Sequence, residues 1–118
     1  MDEYSLRVNG EAFKNRVVSR YSIKEAINYI ELETIKGDDQ FLVLANNNTD
    51  SFVQTILLPE GFHVEVPVRK EDGANKLVEK NGLSKKEVLN LFYMFIEGAE
   101  IDVEEYTKLK IISGKKKL

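Results

Sequence analysis

The chain has one histidine, His63, set two positions before Glu65 in the stretch LLPEGFHVEVPVRKEDG, residues 57–73. An imidazole beside a carboxylate can orient a general base, and together they offer two of the three protein ligands of a catalytic zinc. Residues two apart on a strand project from one face, so these side chains are placed to meet. The same alternation sends Phe62, Val64, Val66 and Val68 to one face and His63, Glu65, Pro67 and Arg69 to the other. The apolar set claims the core, which leaves the histidine and its glutamate on a wet surface. With no second His and no Cys, a zinc site would need a further carboxylate held nearby. The expectation is a solvent-accessible surface pair with no bound metal and a histidine pKa near the usual value of about 6.5.

Other catalytic patterns are missing. A hydrolytic triad needs a base oriented by a third group, and no GxSxG elbow occurs. Neither GxGxxG nor GxxxxGK is present, so no phosphate-cradling loop is encoded. Acidic side chains in turns such as KEDG have little around them to raise a carboxyl pKa for acid catalysis. The sequence predicts a protein that is not an enzyme and needs no cofactor.

One run stands above this background. EGAEIDVEE, residues 97–105, gathers Glu97, Glu100, Asp102, Glu104 and Glu105. It lacks the D-x-[DN]-x-[DN]-G spacing of a calcium loop. It reads either as a solvated loop or as an acidic patch for a basic protein partner, where complementary charge speeds encounter. These five residues are the first candidates for partner binding, and His63 with Glu65 the second.

The elements that must position these residues follow from pattern. Asn9-Gly10 is a two-residue turn signal between YSLRV and EAFKNRVVSR, giving an N-terminal hairpin. In YSIKEAINYIELETIKG, Ser22 and Glu25 form a capping box with Tyr21 and Ala26 as staple, and Ile23, Ala26, Ile27 and Ile30 make one stripe. A helix over residues 23–35 results, stopped at Gly37. FLVLA, 41–45, reads as a strand buried on both faces. SFVQTILL, 51–58, and FHVEVPVR, 62–69, follow as strands after the NNNTD and PEG turns, with Pro67 marking an edge or a bulge. ANKLVEK adds a weaker strand. Ser84 and Glu87 form a second capping box, with Leu83 and Val88 as staple, and Val88, Leu91, Phe92, Phe95 and Ile96 line one face of a helix ending at Gly98. KLKII could be a last strand. Strands joined by short turns, with helices outside the run, indicate α+β: an antiparallel sheet, N-terminal hairpin plus meander, packed by two helices.

At 118 residues, with 42% hydrophobic and 31% charged side chains, the chain suits one domain with a full core. A net charge of −3 argues against general nucleic-acid binding, and the one basic cluster, Lys115 to Lys117, sits in a tail, residues 113–118, expected to fray. No apolar run suits a membrane span, and the acidic opening MDEYSLRVNG has no signal-peptide pattern. With no cysteine to form a disulfide, a cytoplasmic location is expected.

Over residues 17–98 this order resembles small bacterial immunity proteins, the antidotes of polymorphic and contact-dependent toxin systems. The likeness lies in VVSRYSIKEAINYI, a strand leading into a capped helix, in FLVLANNNTDSFVQTILLPEGFHVEVPVR, where a Phe-Val-Gln strand precedes GFxVEV, and in LSKKEVLNLFYMFIEG, a capped helix closing on an aromatic pair and a glycine. The family often carries a tryptophan soon after that glycine; this chain has none. The resemblance implies a non-catalytic protein that binds a cognate toxin, such as a nuclease whose basic cleft suits an acidic inhibitor. The alternatives are a cytoplasmic accessory or scaffold domain that self-associates into a homo-oligomer through a sheet edge, and a small metal-dependent enzyme using His63 and Glu65.

Overall fold

A computed structural model describes residues 3–14, 17–49, 51–69, 75–99, 101 and 106–108. The strands are β1 (Tyr4–Val8), β2 (Glu11–Ala12), β3 (Phe41–Asn46), β4 (Phe52–Leu58), β5 (Gly61–Arg69), β6 (Asn75–Leu83) and β7 (Thr107–Lys108). They form one antiparallel sheet in the order β2-β1-β3-β4-β5-β6-β7. Among the described residues, helices α1 (Arg20–Ile35) and α2 (Lys85–Ile96) complete the α+β fold.

The register explains why one face of the sheet is dry. Leu6 faces Leu44 and Val8 faces Leu42; Leu44 in turn faces Val53, Leu42 faces Thr55, and Thr55 faces Val64. All of these side chains are buried, and the apolar ones form one core with Ile23, Ala26, Ile27 and Ile30 of α1 and Val88 and Phe92 of α2. Both helices therefore lie on the same side. They are tied to each other by Lys85 Nζ donating to Glu31 at 2.9 Å and by Arg20 Nε donating to Glu97 at 2.8 Å. The Arg20 guanidinium also rests over the Tyr93 ring, 4.7 Å from its centre.

Three expectations about these elements are corrected. Helix α1 begins three residues early: Ser19, not Ser22, is the N-cap, and the capping box is Ser19–Ser22, with Ser19 N donating to Ser22 Oγ at 2.8 Å. Tyr21, read as a staple, is exposed, and Val18 with buried Ile23 takes those positions around the cap. The second hairpin strand is short because Lys14 adopts φ 56° and Phe13 turns inward against Tyr29, ring centres 5.7 Å apart. Strand β3 is buried on one face only, since Phe41 is 44% exposed while Leu42 and Leu44 are fully covered. Its apolar run encodes an apolar outer face, which no second layer covers among the described residues.

The second helix starts as read. Ser84 Oγ accepts from Glu87 N at 3.1 Å and Ser84 N donates to Glu87 Oε1 at 2.8 Å. That backbone donor holds the Glu87 carboxyl below its ordinary pKa. The weak ANKLVEK strand is a nine-residue partner of β5, and β7 pairs with it at Thr107–Glu79 and Lys108–Val78. No helix among the described residues is long and apolar enough to cross a membrane.

Candidate functional site

On the face away from the helices, three rows of side chains cross the sheet. Phe41, Ile56 and His63 face one another on β3, β4 and β5; Val43, Gln54, Glu65 and Glu79 form the next row. Beyond them lie Ala45 opposite Phe52, and Pro67 opposite Leu77. A polar centre is thus flanked by apolar rows, and a hollow of about 270 Å³ opens beside His63, Glu65, Gln54, Ile56 and Phe41.

The polar centre is a network. His63 Nε2 lies 3.1 Å from Glu65 Oε2 and 3.2 Å from Glu79 Oε1. Its Nδ1 contacts Asn81 Oδ1, and Gln54 Nε2 donates to Glu65 Oε1. The imidazole side chain is 13% exposed, and those of Glu65 and Glu79 are 23% and 24% exposed. Sequence alternation predicts a solvent-accessible His63 with an ordinary pKa; the structure instead covers most of the ring and raises the pKa. Burial works to lower the pKa. Hydrogen bonds to Asn81 and Glu65, together with the charges of Glu65 and Glu79, outweigh it and leave His63 above its usual value.

A bulge makes this geometry. Phe62 pairs with Leu83 but Val64 pairs with Lys80, so Asn81 and Gly82 together oppose His63. Gly82 takes φ 75°, the left-handed conformation that such a bulge favours. The chains also approach closely there: a Cβ on Gly61 would lie 3.0 Å from Gly82 Cα. The kink aims Asn81 at the imidazole, in keeping with the tendency of bulges to sit beside functional side chains.

Sequence reasoning paired His63 with Glu65 but missed Glu79, Asn81 and Gln54. A signal for the first two existed. Leu77, Glu79 and Asn81 alternate on the strand after the KEDG turn, and equal steps back from that turn bring residue 79 close to Glu65. An Asn-Gly step inside a strand is itself a bulge signal.

The acidic run fares differently. Glu97 is exposed at the end of α2 and already pairs with Arg20, while Glu100, Asp102, Glu104 and Glu105 lie outside the described residues, as do the 113–118 tail and most of KLKII. No protein-family model, curated protein or solved structure matches the chain.

Proposed function

We propose that this chain is a non-catalytic binding protein, an immunity protein that neutralises a cognate toxin by docking through the sheet face opposite α1 and α2. One observation carries the reading. A one-layer antiparallel sheet ordinarily turns polar side chains outward. Here Phe41, Val43, Phe52, Ile56, Leu58 and Leu77 stand at outward positions around the polar centre. Half-buried or exposed apolar side chains gathered on one face are the mark of an interaction surface. Aromatic anchors Phe41 and Phe52 supply contact area. The net charge of −3 and the family-like order of residues 17–98 favour a toxin with a basic cleft, such as a nuclease.

The experiment is co-expression with the product of the adjacent gene in a host that this product kills. The wild type should rescue growth and co-purify with the toxin, and Phe41→Glu/Ile56→Glu should do neither while remaining folded. Failure of the wild type to rescue and to form a complex turns the assignment to the accessory-domain alternative.

A further inference from the structure

Glu65 and Glu79 stand directly opposite each other on β5 and β6. Like charges facing across a ladder destabilise it. Among the described residues, the only cationic partner of either carboxylate is His63. With a neutral imidazole the trio carries a charge of −2, which one divalent cation balances.

We propose that His63, Glu65 and Glu79 form a site for a divalent transition-metal ion of the zinc type, bound by His63 Nε2 and one oxygen from each carboxylate. The three ligand atoms all lie within 4.8 Å of one another. Zinc bonds of about 2.0–2.1 Å set ligand atoms roughly 3.3 Å apart around a tetrahedron. The Nε2-to-oxygen distances of 3.1 and 3.2 Å already match that spacing to a few tenths of an ångström.

The surroundings fit the same role. A metal-bound histidine usually donates its other ring N–H to a carbonyl or carboxylate, which fixes the tautomer. Asn81 Oδ1 occupies that position at Nδ1. Gln54 holds Glu65 Oε1, leaving Oε2 for the ion. Both ligand-bearing strands lie inside the sheet, between β4 and β7, so the backbone is held on both sides. The hollow beside His63 and Glu65 gives access for water or a partner group as the remaining ligand. An imidazole among the ligands selects zinc, copper or nickel over magnesium and calcium. The inference is independent of the immunity reading, because it concerns the isolated chain.

The test is calorimetric titration of the chelator-treated, dialysed chain with ZnCl2 and separately with MgCl2, alongside NMR of the His63 ring. One Zn2+ should bind per chain with a Kd below about 10 μM, shift the ring resonances, and resist excess Mg2+. Glu79→Gln, nearly isosteric, should weaken zinc binding at least tenfold, and Asn81→Ala, as a positioning residue, by roughly 10- to 100-fold. Glu60→Gln, an exposed carboxylate in the β4–β5 turn, should leave it unchanged. A wild type with no saturable zinc binding overturns the proposal, whatever the variants do. Binding that is indifferent to Glu79→Gln, or Mg2+ competing on equal terms, overturns it as well.

Discussion

Replacing Phe92 by alanine tests whether α2 is a covering layer of the sheet or a surface helix. Phe92 is 0% exposed and belongs to the single core shared by both helices and the sheet. Withdrawing a fully buried ring from water is worth about 1.5–3 kcal/mol. The cavity left by truncation adds to this, and the expected total is about 3–5 kcal/mol. Since a domain of this kind is stable by only about 5–15 kcal/mol, the variant should fold but with much of its margin gone. Phe95 is the internal contrast. It is half-buried and meets Tyr4 edge-on, ring centres 5.8 Å apart, so Phe95→Ala forfeits a ring pair worth about 0.5–1.5 kcal/mol and only part of a burial term. The chain has no tryptophan, so urea unfolding is best followed by far-ultraviolet circular dichroism. The expected order is Phe92→Ala well below Phe95→Ala, and both below the wild type. A Phe92→Ala cost under about 1 kcal/mol, or a reversal of that order, refutes the core assignment.

Other expected outcomes are more local. In chelator, the raised pKa of His63 means that the charged imidazole stabilises the folded state. That contribution is full below about pH 6.5, the unfolded-state value, and fades as pH rises through the higher folded-state pKa. The wild-type urea midpoint should therefore fall over that window relative to His63→Gln, and parallel profiles would contradict the network. Gly61→Ala combines φ 131° with a Cβ pressed 3.0 Å from the Gly82 backbone, whereas Gly10→Ala at φ 86° meets nothing within 4 Å. Gly61→Ala should cost more than Gly10→Ala, the latter about 1 kcal/mol from backbone conformation alone; equal midpoints would deny the close approach of β5 and β6.

Much of the fold was legible because apolar spacing and cap residues act locally. Ser84, Glu87 and the Val88–Phe92–Phe95 stripe define α2 without reference to the rest of the chain. The start of α1 was misread because SRYS and SIKE both offer a serine with a polar residue three positions on. Tertiary packing of Val18 and Ile23 decides between them. The site was only half legible for a related reason. His63 and Glu65 sit on one strand, so period-two alternation joins them. Glu79 and Asn81 reach them only through the pairing of β5 with β6 and the extra residue of the bulge, and register is a property of two strands. Continuous apolar runs such as FLVLA likewise show which residues avoid water but not whether a helix, a partner chain or solvent lies over them.

Docking through the open sheet face is tested most directly by the affinity of the purified chain for the purified product of the adjacent gene, compared between wild type and Ile56→Asp. Ile56 is half-buried at the middle of the face, between Phe41 and His63, and the core lies on the other side of the sheet. A central contact residue should cost at least about 2 kcal/mol when replaced, close to thirtyfold or more in Kd, mainly through faster dissociation. Reversal of Glu100, Asp102 and Glu104 to lysine should instead act on the salt-dependent association rate. A folded Ile56→Asp variant that binds with wild-type affinity would contradict docking through this face.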